Sequence, residues 1–426
     1  MKKSRYNYTF CHKNKFYIFN GITYKFAKFD IALKPYIEKF LCMPNEDWGE
    51  MSSIKSQLYN AGFLIDDNVK EFDILCSEIV KNRSDRSYSL MILPTYDCNF
   101  SCWYCIQSHK HEYMSHDIVE SIKKHITTYL LKNNIKYFDI HWFGGEPLLC
   151  FNSHISEISN YAISFCQAHD IIFHNSITTN GYLLNKDMIL LMKDLKFKQF
   201  QITIDGSREF HDKTRNEQGI PSYDRIINNV HSVIDLIPNV RMFLRYNLTK
   251  ENYISLNRMI EELNAVFEPK CRNKIFISVI KVWQEDRKQI DKDCFDNIYS
   301  SFIKEGYTIA DVDLSNDYIR CNADKLHSFV IFHNGKVDKC NNIPPSEAAY
   351  KLLDSGDIIS LNNENFDILS INDNCKECKL FPVCLGPCFR DTAKNKTFEC
   401  AEKGCNISTM ERVKNYCLRV EKNEEL

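Results

Sequence analysis

Three cysteines in one short segment are the residues of this chain best suited to chemistry. They are Cys98, Cys102 and Cys105, with spacings of three and then two residues. The apolar run at residues 90–93 predicts a short buried strand just before them, so the cysteines begin the loop that leaves this strand. Such a loop can bring three thiolates to one metal centre. Three thiolates leave an iron–sulfur cube one ligand short of the usual four, and the open iron can bind a substrate or a cofactor.

A tetrahedral zinc site is the alternative for the same loop. Structural zinc takes four protein ligands, and His109 or His111 follows closely enough in sequence to supply the fourth. The cysteine spacing by itself leaves both metals open.

A second segment suited to chemistry ends the next predicted strand, where residues 140–143 lead into Gly144-Gly145-Glu146-Pro147. Two glycines allow backbone to approach a ligand closely, and the Glu146 carboxylate could receive an ammonium group. Taken alone, the segment is more typical of a structural strand-to-helix turn.

Three more polar segments follow later predicted strands. They are Thr178-Thr179-Asn180-Gly181, Thr203-Ile204-Asp205-Gly206 and His211-Asp212-Lys213-Thr214-Arg215. Together with the cysteine loop and the GGE segment, in this order, they make the chain resemble the radical S-adenosylmethionine (SAM) enzymes. The last segment is similar to the HDxxR segment of the members that modify peptides and proteins. The combination favours an iron–sulfur cluster over zinc.

The resemblance implies roles for these residues. The three loop cysteines would hold a [4Fe–4S] cluster whose open iron chelates the methionine amino and carboxylate groups of SAM. Glu146 of the GGE segment would pair with the ammonium, and Arg215 would meet the carboxylate. The other residues expected to bind SAM are Tyr104, Gly144, Gly145, Thr178, Asn180, Thr203 and Asp205. His211 is either a core or capping residue or an acid–base group.

A second group of cysteines lies near the C-terminus. Of nineteen in the chain, eight fall in this part: Cys321, Cys340, Cys375, Cys378, Cys384, Cys388, Cys400 and Cys405. Small loop-rich modules lack apolar area, and metal ligation can stabilise them. A zinc ribbon would explain one CxxC pair. The whole pattern resembles the SPASM extension of radical SAM enzymes, which binds auxiliary [4Fe–4S] clusters.

The same resemblance implies how these cysteines divide between two clusters. The distal cluster would be held by Cys375, Cys378, Cys384 and either Cys400 or Cys405, of which Cys400 fits the closing pattern better. The cluster nearer SAM would be held by Cys321, Cys340 and Cys388. A fourth ligand for it is not evident, so one iron is open or has an unusual ligand such as Asp317.

The sequence predicts three domains, of which the first covers residues 1–86. Runs at 15–19 and 23–26, joined by Asn20-Gly21, predict a hairpin, and helical patterns follow near 31–41, 51–61 and up to 80. A small winged-helix-like domain fits these elements. It is either a structural cap or, by resemblance, a leader-recognition domain that accepts a peptide as an extra strand. The polar stretch 81–86 is the predicted linker.

Residues 87–300 form the predicted central domain, in which strands alternate with helices. The predicted strands are 89–94, 137–143, 171–178, 198–205, 239–247 and 274–281. This alternation predicts the α/β class with a mostly parallel sheet. The resemblance sharpens it to a partial (β/α)6 TIM-type barrel with the motifs at the carboxyl ends of the strands. Residues 301–426 are the predicted SPASM domain.

Composition limits the function further. With 54 Lys and Arg against 56 Asp and Glu in 426 residues, the chain has no basic surplus, which disfavours nucleic-acid binding. The start lacks the apolar stretch of a signal peptide and no run reaches membrane-spanning length, so a cytoplasmic enzyme without membrane partners is expected. In a reducing compartment, cysteines are more often metal ligands or core residues than disulfides.

The functional prediction is a radical SAM/SPASM peptide maturase with three [4Fe–4S] clusters. By resemblance, it would cleave SAM reductively, abstract hydrogen from a ribosomally made peptide and install a thioether or carbon–carbon crosslink. Its partners would be the precursor peptide and an electron donor such as flavodoxin or ferredoxin. One alternative is an anaerobic sulfatase-maturing enzyme forming formylglycine, but Asn341 follows Cys340 where those enzymes have an aspartate. Another is a non-catalytic iron–sulfur or zinc scaffold.

Overall fold

The structure of the chain is a computed structural model. It describes residues 1–46, 49, 52–107, 109–282, 284, 292–310, 314, 317–361, 371–388, 400–403 and 408–424.

The strands in this part of the chain are short at both ends of the sequence and longer in the middle. They are β1 (Lys2–Lys3), β2 (Asn7–His12), β3 (Lys15–Asn20), β4 (Phe26–Asp30), β5 (Leu64–Ile65), β6 (Ser87–Ile92), β7 (Tyr137–Trp142), β8 (Ile172–Thr179), β9 (Phe197–Ile204), β10 (Asn216–Glu217), β11 (Ile220–Pro221), β12 (Arg241–Leu248), β13 (Ile275–Lys281), β14 (Thr308–Ile309), β15 (Ser328–Ile331), β16 (Lys336–Asp338), β17 (Tyr350–Leu352) and β18 (Ile358–Ser360).

The helices alternate with the longer strands. They are α1 (Lys34–Cys42), α2 (Ser52–Asn60), α3 (Glu71–Arg83), α4 (His116–Lys132), α5 (Ser156–Ala168), α6 (Lys186–Asp194), α7 (Arg208–Thr214), α8 (Tyr223–Leu236), α9 (Lys250–Tyr253), α10 (Leu256–Val266), α11 (Pro269–Arg272), α12 (Lys292–Lys304), α13 (Asp373–Lys376), α14 (Phe381–Cys384) and α15 (Thr409–Glu424). Among the described residues, no helix combines the length and the apolar character that crossing a bilayer requires.

The chain divides into two compact units. The first contains Met1–Asp85, Val312–Leu326 and Asp367–Leu426, and the second contains Arg86–Asp311 and His327–Phe366. The two compact units therefore do not coincide with the three predicted domains. The division into three functional domains stays a prediction.

The second unit is built on one sheet, which has eleven strands in the described residues, in the order β14-β13-β12-β9-β8-β7-β6-β15-β16-β17-β18. Strands β6, β7, β8, β9, β12 and β13 follow one another in chain order, each parallel to the next. This is the order of an open (β/α)6 barrel, and it confirms the predicted α/β class. All six predicted strands are present, with ends shifted by no more than about two residues.

Alternating side chains explain why these segments form strands. In β7, Phe138, Ile140 and Trp142 are buried, whereas Asp139 and His141 between them are only half-buried. One face of the strand therefore packs into a core and the other carries polar groups. Helix α8 covers its part of the sheet with an apolar stripe, which is the pattern expected for a helix packed on a sheet.

The sequence did not reveal how the sheet continues beyond β6. Strand β15 pairs with β6 in parallel, and β16, β17 and β18 extend the sheet in antiparallel order. These strands have three or four residues each. Such runs are too short for a periodic pattern, which is why the sequence did not predict them. Because they pair with β6 and with one another, part of the predicted SPASM domain belongs to the same sheet as the barrel.

The first unit contains a small antiparallel sheet in which β3 lies between β2 and β4. Both faces of β3 are buried. Phe16 and Ile18 pack in one cluster with residues of α1, while Tyr17 and Phe19 pack in another. This second cluster includes Phe381 and other residues near the C-terminal cysteines, so the N-terminal sheet and the cysteine-rich segment share a core.

Two local predictions in this unit need correction. The hairpin turn covers residues 21–25 rather than Asn20-Gly21 alone, because the Asn20 side chain accepts hydrogen bonds from the backbone N–H groups of Ile22 and Thr23. The predicted linker 81–86 is shortened, because α3 continues to Arg83. The buried Arg83 guanidinium lies 3.9 Å from the Asp324 carboxylate. This ion pair explains why a charged residue is buried at the end of α3.

Candidate functional site

The three-cysteine loop is closed at its base by backbone contacts. It leaves β6 and returns to α4, and Thr95 forms an antiparallel bridge with Tyr113. The Tyr96 N–H donates to the Glu112 carbonyl at 3.1 Å, and the Met114 N–H donates to the Pro94 carbonyl at 2.8 Å. The cysteines therefore lie on a loop with a fixed base at the carboxyl end of the first barrel strand, as predicted.

The thiols of this loop lie in a poorly solvated place. Burial raises the pKa of Cys98 to about 12, and the nearby Glu146 carboxylate adds to the rise. Burial also raises the pKa of Cys102, against the opposing effect of Arg215. Because ligation requires thiolates, a cationic centre must supply the charge that makes deprotonation favourable at Cys98 and Cys102. At Cys105, against the effect of burial, the hydrogen bond with His109 lowers the pKa of the thiol.

Of the two histidines that were candidates for a fourth zinc ligand in this loop, one lies beside a loop cysteine and the other has a different partner. His109 Nε2 lies 3.0 Å from Cys105 Sγ, but His111 Nδ1 is hydrogen-bonded to Asp97 at 2.8 Å. Zinc–sulfur bonds of about 2.3 Å place the sulfurs of one ion roughly 3.8 Å apart. In the described chain, the one set of three ligand-type side chains with donor atoms all within 4.8 Å of one another is His116, Glu120 and Glu157. The three loop cysteines do not form such a compact set among the described residues.

The glycines of the GGE segment approach backbone rather than open space. The Gly145 N–H donates to the Thr95 carbonyl at 3.0 Å and the Glu146 N–H to the Asp97 carbonyl at 2.7 Å. An added Cβ would lie 2.4 Å from the Thr95 oxygen at Gly144, where φ is +134°, and 2.1 Å from the Asp97 oxygen at Gly145. The glycines thus lie close to the backbone of the cysteine loop, whereas the sequence predicted a close approach to a ligand. A contact of these glycines with SAM stays a prediction.

The Glu146 carboxylate joins the ends of two strands. It is fully buried and accepts hydrogen bonds from Thr179 Oγ1 at 2.7 Å, the Asn180 N–H at 2.8 Å and the Leu148 N–H at 3.0 Å. Burial raises the pKa of this carboxyl, and these hydrogen bonds oppose the rise. A carboxylate has about four acceptor positions, and three of them are taken by these hydrogen bonds. About one position is left for the SAM ammonium, and this pairing remains a prediction.

A buried polar network lies beside Cys102. Arg215 Nη1 donates to the Tyr104 hydroxyl at 2.9 Å and lies 3.5 Å from Cys102 Sγ, and the same hydroxyl donates to Asp205 Oδ2 at 2.5 Å. Burial raises the pKa of Asp205 to about 6, against the effect of Arg215 and of Tyr104.

Two atoms of this network are buried and have no hydrogen-bond partner among the described residues: Arg215 Nε, a donor, and Asp205 Oδ1, an acceptor. Buried polar groups are nearly always satisfied. A donor and an acceptor left over beside a cluster-binding thiol suit a ligand that has both a carboxylate and hydroxyl or amino groups. SAM has all three, so the residues present fit SAM.

Other predicted residues lie nearby with identified partners. Asn180 Nδ2 donates to Asn99 Oδ1 at 2.8 Å and lies 4.0 Å from Cys98 Sγ. Thr178 Oγ1 is 3.0 Å from His141 Nε2 on the polar face of the sheet, and Thr203 is buried on β9. The sequence did not single out His141, although its position between buried residues of β7 indicates the inner face of the sheet.

His211 takes the structural role of its two alternatives. It is fully buried, which lowers the pKa of its imidazole well below the usual value. Its Nε2 contacts Ser222 Oγ at 3.1 Å, and the Ser222 hydroxyl donates to the Arg215 carbonyl at 2.7 Å. The imidazole therefore helps to fix the backbone of Arg215.

In the first unit, the predicted distal ligands are near one another. The buried Cys375 thiol has a raised pKa, to about 11, because of burial and the neighbouring Cys384, Cys378 and Cys400 thiols. Gly386 lies so close that an added Cβ would be 3.4 Å from Cys375 Sγ. Cys405, the other candidate for the last position, lies outside the described residues.

Of the predicted proximal ligands, Cys321 and Cys388 belong to the first unit and Cys340 to the second. Arg320 is next to Cys321, and its Nη1 donates to the Gly386 carbonyl at 2.9 Å and to the Pro387 carbonyl. Its charge lies near both Cys321 and Cys388. The Asp317 carboxylate accepts a hydrogen bond from the Ile319 N–H at 3.0 Å. This bond does not show whether Asp317 is the fourth ligand of the proximal cluster, which stays a prediction.

The sequence is similar to known proteins over most of its length. The sequence model of the Radical SAM superfamily matches residues 92–263. The cysteine-type anaerobic sulfatase-maturating enzyme of Clostridium novyi (strain NT) is 24% identical over 350 residues, which cover 73% of this chain and 90% of that protein.

Solved structures show the same fold. Native anSMEcpe with bound AdoMet and Kp18Cys peptide matches with a TM-score of 0.58 at 18% identity, covering 80% of this chain and 100% of that chain. Streptococcus suis SuiB bound to precursor peptide SuiA matches with a TM-score of 0.52 at 15% identity, covering 93% of this chain and 97% of that chain. With the cysteine loop, the GGE segment and the Arg215 network in place, the chain carries a radical SAM domain over residues 92–263 and is similar to the anaerobic sulfatase-maturating enzymes.

Proposed function

We propose that this radical SAM enzyme is a peptide maturase that abstracts a hydrogen atom from a ribosomally made precursor and installs a thioether or carbon–carbon crosslink. The observation that carries the SAM chemistry is the unpartnered pair of buried atoms, Arg215 Nε and Asp205 Oδ1, beside Cys102. Support for a peptide comes from solved structures of this fold that contain bound peptides, among them the two described above.

Each residue of the site has a defined task in this proposal. A [4Fe–4S] cluster held by the loop cysteines would supply the one-electron reduction by which SAM is cleaved to methionine and a 5′-deoxyadenosyl radical. Cys98, Cys102 and Cys105 hold the cluster at the end of β6. Arg215 receives the carboxylate of SAM, and Asp205 accepts a hydrogen bond from one of its hydroxyl or amino groups. Charge-assisted contacts of this kind are stronger than neutral ones.

The inner face of the barrel sheet offers polar groups to a peptide. Half-buried side chains on this face are Asp139 and His141 on β7, Gln201 on β9, Arg245 on β12 and Ser278 on β13. Amide, hydroxyl and imidazole groups can hydrogen-bond the N–H and C=O groups that every peptide carries. The radical also needs protection from water and competing donors, which a protein-lined cavity provides.

The proposal includes two auxiliary [4Fe–4S] clusters. The nearness of Cys375, Cys378, Cys384 and Cys400 supports a closed distal cluster with four thiolates. The proximal cluster would have Cys321, Cys340 and Cys388 and one open iron. An open iron is a Lewis acid that can bind a substrate thiolate, which favours a thioether.

A sulfatase-maturing activity is the second candidate, because the curated relative with that name covers most of the chain. The residue after Cys340 is Asn341, which is a poor base. The nearby Asp338 precedes Cys340 by two residues instead of following it. It is buried, and its carboxylate accepts the N–H groups of Lys339 at 2.7 Å and Ala349 at 2.9 Å.

The two candidates are separated by their products. Anaerobically reconstituted enzyme would receive SAM, reductant and either a precursor peptide encoded beside the enzyme or a sulfatase-derived peptide with a target Cys or Ser. Crosslinking predicts that the precursor loses two hydrogens and gains no aldehyde group. Formylglycine in the sulfatase peptide, detected with a hydrazide reagent, would contradict the maturase proposal.

A further inference from the structure

A cavity of about 690 Å³ lies in the second unit, beside the base of the cysteine loop. Its walls come from four places: the loop base, the start of α4, the turn between β15 and β16 with the start of β16, and residues 344–346 between β16 and β17. The residues that carry the argument are Tyr96, Lys110, Glu112, Tyr113, His333 and Lys336. We call this cavity the His333 pocket.

His333 gives the pocket a defined hydrogen-bonding need. It is 7% exposed, its Nε2 lies 3.2 Å from Glu112 Oε2, and its Nδ1 is buried without a hydrogen-bond partner in the described residues. Burial lowers the pKa of the imidazole, which keeps it neutral near pH 7. A neutral imidazole that donates from Nε2 to Glu112 has an acceptor lone pair on Nδ1. His333 Nδ1 therefore needs a hydrogen-bond donor, and a peptide N–H has the required chemistry.

The charges of the pocket call for an anion. Lys110 and Lys336 bring two positive charges to the walls. Glu112 brings one negative charge that its neutral His333 partner does not cancel, so the walls keep a surplus of one positive charge. Apolar surface completes the site: the Tyr96 ring lies 4.8 Å from the His333 ring, and Pro344 and Pro345 form another wall. A segment with an N–H group, a carboxylate and some apolar surface satisfies all of these groups.

We infer that the His333 pocket binds an acidic segment of the substrate peptide, away from the residue that reacts. A backbone N–H of that segment donates to His333 Nδ1, and an Asp or Glu carboxylate pairs with Lys110 and Lys336. This inference rests on the proposed peptide-maturase function and adds a recognition site to it. Tyr96 and Glu112 join at the base of the cysteine loop, so peptide bound here is held next to the cluster.

Photocrosslinking to the intact, cluster-loaded enzyme tests the inference. The probes are two pools of capped nonapeptides with one photoreactive leucine and randomised flanks, which differ in having Asp or Asn at two central positions. Mass spectrometry locates the labelled residues. We expect the Asp pool to label residues 94–118 and 333–346 several-fold more than the Asn pool does.

Charge variants provide the control. Lys110→Gln combined with Lys336→Gln should abolish the preference for the Asp pool, whereas Lys132→Gln combined with Lys193→Gln, two exposed lysines outside the pocket, should keep it. Equal labelling by both pools, or a preference that survives the first pair, would overturn the inference. An acidic electron donor is the competing occupant: loss of flavodoxin-driven but not dithionite-driven SAM cleavage in the first pair, without Asp-dependent labelling, would assign the pocket to that donor.

The proposed function fails in a different way. Wild-type enzyme that forms no 5′-deoxyadenosine from SAM and dithionite would remove the radical SAM chemistry, whatever the labelling. Wild-type enzyme that cleaves SAM, but shows no Asp-dependent labelling, would remove only the pocket.

Discussion

Arg215 Nη1 donates a hydrogen bond to the Tyr104 hydroxyl at 2.9 Å and also lies 3.5 Å from Cys102 Sγ. One guanidinium thus connects the HDxxR segment with the cysteine loop. Because the Nε–H of that guanidinium has no hydrogen-bond partner in the part of the chain that the structure describes, the residue can organise the loop and still receive a ligand.

The first prediction concerns the affinity for SAM. Arg215→Ala removes the charge expected to meet the SAM carboxylate, and Glu146→Ala removes the predicted partner of the ammonium. Each should raise the dissociation constant at least about tenfold, or roughly 1.4 kcal/mol, measured by anaerobic equilibrium dialysis. Arg258→Ala, on an exposed part of α10, is the control. Unchanged affinity in both site variants would remove the assigned SAM contacts.

The second prediction concerns Gly145. A Cβ in Gly145→Ala would meet the Asp97 carbonyl oxygen at 2.1 Å, so the cysteine loop must shift. Iron bound at the loop should fall severalfold, as measured in a variant in which the auxiliary cysteines are also replaced. In Gly219→Ala, where φ is +88°, the new Cβ strains the backbone but meets nothing within 4 Å. This control therefore has strain without a clash against the cysteine loop, and normal iron is expected. Full iron in Gly145→Ala would show that the loop tolerates the displacement.

These glycines illustrate how far the sequence reaches. The positions of the barrel strands follow from periodicity and turn residues, because each of these strands has a buried alternate face. The barrel arrangement and the place of the motifs at the strand ends were implied by the resemblance to radical SAM enzymes. The partner of the glycines could not be predicted, since their contact with Thr95 and Asp97 depends on how two distant loops meet. The short strands β15–β18 carry too few residues for a pattern. The core shared by Phe19 and Phe381 was also hidden, and deleting the N-terminal domain would break it.

The third prediction concerns pH. His125 is buried between the Tyr88 hydroxyl and the Gly356 carbonyl, and burial lowers the pKa of its imidazole from 6.5 to about 4. The unfolded chain binds the proton first, so stability is lost as the pH falls from 6.5 towards 4, by up to about 3 kcal/mol. His125→Gln should flatten the dependence of melting temperature on pH in this window for the metal-free protein. An unchanged slope would show that His125 does not cause it.

The fourth prediction concerns the auxiliary clusters. Three cubes require about twelve irons per chain. Cys400→Ala should lose about four of them if Cys400 closes the distal cluster, whereas Cys166→Ala, at a buried helix position, should lose none. Iron analysis with Mössbauer spectroscopy gives the count. Full iron in Cys400→Ala, with loss in Cys405→Ala, would assign the last ligand to Cys405 instead.

The central claim is that Cys98, Cys102 and Cys105 hold the cluster that cleaves SAM. The most direct test measures 5′-deoxyadenosine by liquid chromatography after anaerobic incubation with SAM and dithionite. The wild-type chain should form it, and Cys98→Ala, Cys102→Ala and Cys105→Ala should each reduce it to background while circular dichroism shows the fold retained. Formation at the wild-type rate in any one of the three variants would contradict the account.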